Sequence, residues 1–198
     1  MMRERFSARA SSRRGSGPLG LLAGAAAAIA LLAAGCRDQS PEERYAESVC
    51  STILPRAQEI LDTSDDVIHT RAAPGPDARI MLWALALRGT EITRKLQGEL
   101  HALSVPDTPE GRKAAQYVNF VARVAFDRVM AEEQRARTLP ESITLVQSIR
   151  GLDRLQLALS SAFSELKGYD IVKVEVPELK RSFETADSCK KLDGLATD

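Results

Sequence analysis

Two histidines and three cysteines are all the imidazole and thiol in 198 residues, too few to build a structural zinc site and still leave a nucleophile with its base. The densest set of candidate ligands is Asp62, Asp65, Asp66 and His69, followed by the flexible run Ala72-Ala73-Pro74-Gly75-Pro76. Oxygen and imidazole at those intervals would hold a divalent cation only if the segment coiled helically. Acidic loop residues more often stay solvated or cap a turn, so no metal or other cofactor is expected. His101, near Glu99, reads as a surface histidine close to a helix end, and Glu132-Glu133 reads as a wet helical face. GxSxG, HExxH and Walker patterns are missing after residue 36. Gly15-Ser16-Gly17-Pro18-Leu19-Gly20 fits GxGxxG, but no strand precedes it, and the dinucleotide fold needs one. Trp83 and Tyr117 lie away from the main apolar stripes, where filling a wide core is favoured over lining a pocket. No enzyme is expected.

The elements that would position these residues are helical, because apolar residues recur at intervals of three and four after Pro41 and almost nowhere at two. A first helix over about 42–62 carries Ala46, Cys50, Ile53, Ala57 and Ile60 on one stripe, with a kink at Pro55. Residues 63–77 read as a surface loop. A second helix, about 78–103, aligns Leu82, Leu85, Gly89, Ile92, Leu96, Leu100 and Leu103. Thr108 and Pro109 open a third, about 109–137, with Ala114, Val118, Val121, Ala125 and Val129 inward. Pro140 restarts the chain into a fourth, ending near 167 before Gly168, with Leu145, Ile149, Leu152, Leu155, Leu159, Phe163 and Leu166 inward. Ile171 to Val176 alternates like a strand but has no second strand to pair with, so it is expected as an extended connector. A last helix over about 177–192 points Phe183, Ala186, Cys189 and Leu192 inward. The expected fold class is all-α: an up-and-down bundle of four long helices plus a shorter C-terminal one, spanning 42–198.

The formal net charge of zero averages two unlike parts. Residues 1–35 hold five Arg and one acid, Glu4, leaving 22 basic against 26 acidic residues in the remainder. A body near −4 lacks the footprint that drives binding to phosphate backbones, so nucleic acid is not an expected partner. From Leu19 to Ala34 every residue is Leu, Ile, Ala or Gly, the arginines precede it, and it closes on Leu32-Ala33-Ala34-Gly35-Cys36. That is the three-part layout of an export signal. The segment resembles a bacterial lipoprotein signal with its lipobox, departing from the commonest form in that Ala33 stands where Leu is usual. The resemblance implies a signal peptide over 1–35, cleavage before Cys36, and lipidation of Cys36 by diacylglyceryl with further acylation of the new N-terminus. Residues 36–41 would then be a short tether of at most about 18 Å from Arg37 to Pro41. An uncleaved helix of 18 residues, to Cys36, is the alternative, and positive-inside logic gives it the same compartment.

In an extracytoplasmic compartment the two remaining thiols, Cys50 and Cys189, tend to pair, and both fall on inward stripes; two free buried thiols are the other reading. With Cys50 soon after the anchor, the Val105-Pro106 break before a capped helix and the late Ser188-Cys189, the chain resembles helical lipoproteins of actinobacterial type. That resemblance implies a lipid-anchored place on the extracytoplasmic face of the cell membrane, with membrane lipid as a partner through acylated Cys36, and it implies no reaction. Two functions remain. One is a non-catalytic helical module that binds or organises a cell-envelope protein, which needs an exposed apolar patch. The other is a small-ligand or cation receptor, which needs a concave site between helices.

Overall fold

A computed structural model describes residues 39–195. Helix α1 spans Pro41–His69. It opens on a capping box in which Ser40 Oγ accepts from the Glu43 amide at 3.1 Å and Glu43 Oε2 accepts from the Ser40 amide at 3.0 Å. The helix continues through Pro55, which faces solvent, and past residue 62. The loop expected over 63–77 is therefore only 70–75. Thr63 and Val67 extend the buried stripe of Ile60 by one and two turns, and the Thr63 hydroxyl donates back to the Glu59 carbonyl at 2.7 Å. A polar composition that reads as loop is here helical, because Thr63 and Val67 meet the core and the Thr63 hydroxyl is satisfied within its own helix.

Gly75 takes φ 106°, the one described residue where positive φ is required, and its amide donates to the Ile143 carbonyl at 2.8 Å. Helix α2 follows directly at Pro76–His101, and α3 spans Pro109–Arg137 with Thr108 Oγ1 accepting from the Gly111 amide at 3.0 Å. Helix α4 spans Leu145–Lys167. It starts five residues after Pro140, where Thr144 and Gln147 form a second capping box. Thr144→Ala is expected to cost about 1 kcal/mol, read as a lowered Tm.

Leu145 and Ile149 do not face inward as expected; they are 47% and 43% exposed. Ser148 and Gly151 hold the inward positions instead. Ser148 Oγ accepts from the Ala73 amide at 3.3 Å, and a Cβ on Gly151 would stand 2.3 Å from Leu82 Cδ2. Small residues let the chain approach at this end, which turns the larger neighbours outward.

The expected connector at 171–176 is also helical. Helices α5 (Asp170–Glu175), α6 (Pro177–Thr185) and α7 (Asp187–Asp193) replace it and the single C-terminal helix. Tyr169, Val172 and Val176 are all buried, a three-and-four spacing that β-branched composition had disguised as a strand. The all-α bundle stands: α1 to α4 run up, down, up, down, each against its neighbours in the ring, while α6 and α7 pack on α1 and α5 on α3. Among the described residues no helix is long and apolar enough to cross a membrane.

Candidate functional site

Cys36 lies outside the described residues. Cys50 and Cys189 are joined by a disulfide across 139 residues of sequence, tying α1 to α7. The four candidate metal ligands sit in the last two turns of α1 and are claimed separately. Asp62 Oδ1 accepts from Gln58 Nε2 at 2.9 Å, and Asp66 pairs with Arg88 of α2 at 2.5 Å. Asp65 and His69 pair with each other at 3.2 Å, both well exposed. Among the described residues no three His, Cys, Asp or Glu side chains are grouped to hold a metal.

Glu99 does not accompany His101. It receives two hydrogen bonds from Arg56 of α1, at 3.0 and 2.8 Å, and the guanidinium holds its carboxyl below the usual carboxylate range. Glu132 and Glu133 are not on a wet face, being 9% and 7% exposed. Glu132 is enclosed by Arg135 and by Arg154 of α4. These arginines, with Arg128, edge a hollow of about 400 Å³ between α3 and α4. Each of the three hydrogen-bonds a glutamate, so the hollow is already neutralised by its own walls. Tyr117 donates to Glu175 at 3.1 Å and Trp83 packs half-buried against the core.

A concavity of about 750 Å³ runs between α2 and α3. Its register follows from two contacts further along the same helices: Arg79 Nη2 donates to the Arg137 carbonyl at 3.2 Å, and a Cβ on Gly89 would lie 2.9 Å from Val129. Antiparallel continuation places Arg94 level with Arg123. One turn on, Gln97 and Gly98 face Asn119 and Phe120; a further turn on, His101 faces Gln116. All of these line the cleft, and none of its lining residues is acidic. Phe120 is 59% exposed. The Asn119 carbonyl oxygen is buried without a donor.

A different surface lies where α1 ends and α4 begins. Leu145, Val146 and Ile149 expose one apolar turn. Ile149 is two turns before Gln156, on the α4 side that lines a groove with α1, and Ile68, 55% exposed, lines the same groove from α1. Of these two surfaces the sequence marked His101, Leu145 and Ile149, each in another role. Arg94, Asn119, Phe120, Arg123 and Val146 carried no signal, because only the packing of α2 on α3, and the small inward residues of α4, give them a common place. No family model, curated protein or solved structure matches this chain.

Proposed function

We propose that the chain is an extracytoplasmic lipoprotein, acylated at Cys36, whose helical bundle is a non-catalytic module docking a cell-envelope protein. The observation that carries the docking is the exposed apolar turn Leu145, Val146 and Ile149. Apolar side chains grouped on one exposed helical turn favour a protein contact over solvent. Their position matters too. Because α1 has 29 residues, this turn lies about 43 Å along the bundle from Pro41, where the chain enters from the tether. A partner docked there would sit at the end of the bundle opposite Pro41. The Cys50–Cys189 bond supports an oxidising compartment.

Photo-crosslinking and fatty-acid labelling in the native host test both halves. A crosslinker at Val146 of the full chain is expected to give one discrete adduct with another protein. The same group at Val174, 74% exposed on α5, should not. Cys36→Ala is expected to leave residues 1–35 uncleaved and to take up no labelled fatty acid, whereas the native chain takes it up at Cys36. A native chain that took up no labelled fatty acid would overturn the anchor; equal adducts at 146 and 174 would overturn the docking surface.

A further inference from the structure

We propose that the α2–α3 cleft binds an acidic sugar, with the anionic group between Arg94 and Arg123 and the ring over Phe120 and the open backbone at Gly98. The inference is independent of the docking surface, which lies on another pair of helices.

The anion end comes first. The body carries a net charge near −4, yet the cleft is lined by Arg94, Arg123 and His101 and by no acid, a local reversal of sign. Six of the fourteen described arginines, at 56, 88, 112, 128, 135 and 154, hydrogen-bond carboxylates. Arg94 and Arg123 are among the eight that do not: Arg94 lies over the Phe126 ring at 5.8 Å, and Arg123 makes a longer ion pair from Nε to Asp127, at 3.7 Å. Two guanidiniums with unused donors, level across a groove, suit a carboxylate or a phosphate.

The middle of the cleft selects what the anion is attached to. Gln97, Gln116 and Asn119 are planar amides, each offering a donor beside an acceptor, the complement of neighbouring hydroxyls that do the same. Rotating the Asn119 amide by half a turn would cost no hydrogen bond at its carbonyl oxygen, since that atom has no donor to lose. Phe120 supplies a flat apolar face, while Ala115 is the only other apolar lining residue. The exposed wall is nonetheless more apolar than polar, the stems of the long side chains adding to these two, and this suits the apolar face of a sugar ring. The three levels are each about one helical turn apart, roughly 10 Å in all, enough for one ring with its charged substituent or two linked rings.

Gly98 adds an observation that core packing does not explain. Glycine in a helix interior is disfavoured by about 1 kcal/mol relative to alanine, and a Cβ at Gly98 would meet nothing within 4 Å. Gly89 and Gly151, by contrast, sit against core side chains. What the missing Cβ does at Gly98 is leave the floor of the cleft open.

The test uses the oxidised full-length protein in detergent, titrated separately with glucuronate, glucose 1-phosphate, glucose, inorganic phosphate and an acidic peptide. Amide NMR signals of Gly98 and of the Asn119 side chain report binding. At least one acidic sugar is expected to shift both signals saturably, with glucose and phosphate at least tenfold weaker; which sugar responds identifies carboxylate or phosphate as the anion. Arg94→Gln and Arg123→Gln are each expected to weaken binding roughly ten- to hundredfold. Gly98→Leu should abolish it while leaving Tm unchanged or raised, since it fills open space with a better helix former. The proposal is overturned by no saturable shift with either sugar, by inorganic phosphate acting as strongly as the sugars, by a response to the peptide alone, or by undiminished binding in Gly98→Leu.

Discussion

Replacing Cys189 by Ser, or reducing its bond to Cys50, is expected to lower the unfolding free energy by about 5 kcal/mol, the chain-entropy value for a loop of this size. The bond closes 139 residues, so it removes a large ensemble of open conformations from the unfolded chain. Its native-state effect is concentrated on α7. Seven residues cannot hold a helix unaided, and α7 otherwise docks through Leu192, through Ser188 bonded to Glu47 of α1, and through the 2.5 Å bond from Tyr169 to Asp193. Denaturant melts with and without reductant measure the total. Hydrogen exchange then separates the parts: amides of 187–193 should lose protection first on reduction, ahead of those in α2 and α3. A loss below 1 kcal/mol would mean that the docking of α7 is self-sufficient and that the covalent link is incidental to the fold.

The sequence disclosed elements wherever local chemistry and tertiary packing agree. Helix α3 was read to its observed ends, because Thr108 caps it, Pro109 suits its first position, and its stripe of Ala and Val is regular. Agreement failed in three places for separate reasons. At 63–69 polar residues with turn preferences sit in the last turns of α1, where burial of Thr63 and Val67 outweighs their propensity. At 170–175 β-branched residues imitate a strand, yet Val172 and Val176 must meet the core on one side of the chain. At the start of α4, Pro140 drew the boundary too early, although Thr144 and Gln147 carry the capping spacing three residues apart.

Binding surfaces are harder to read than elements because they belong to pairs of helices. The cysteine pair was legible: both residues lie on inward stripes, and setting Cys36 aside as the expected lipidation site leaves only these two. Arg94 and Arg123 were not, since nothing local relates residues on separate helices until the α2–α3 register is fixed. Glu132 shows the converse. Beside Glu133 it looked solvated, but its burial is made tolerable by Arg135 one turn away and by Arg154 from α4. Only the second of these requires the fold.

Phe183→Ala is the other substitution expected to act strongly, costing about 3–5 kcal/mol as a large side chain is removed from a site that cannot fully collapse. Phe183 is 1% exposed and joins two tyrosines, edge-on to Tyr45 of α1 with centroids 6.4 Å apart and stacked on Tyr169 at 6.0 Å. The three rings fasten α6 and the turn before α5 to the end of the bundle where the chain enters. Burial pushes the Tyr45 hydroxyl up to about 12 from an ordinary 10.0, and this gives the variant a second readout. A phenol whose folded pKa is raised favours the folded state while neutral. Above pH 10 the unfolded chain ionises first, so stability falls as pH rises from about 10 to about 12. With Phe183 removed, water can reach Tyr45, its pKa should return toward 10, and the alkaline loss of stability should shrink. Phe183→Leu keeps most of the volume and should lie between the two proteins in both measurements. Tyrosine absorbance titrations and melts at pH 8 and pH 11 check this together. If Phe183→Ala lost stability but left the Tyr45 titration where it was, the cavity would have closed over dry, and the three rings would not form one water-excluding cluster.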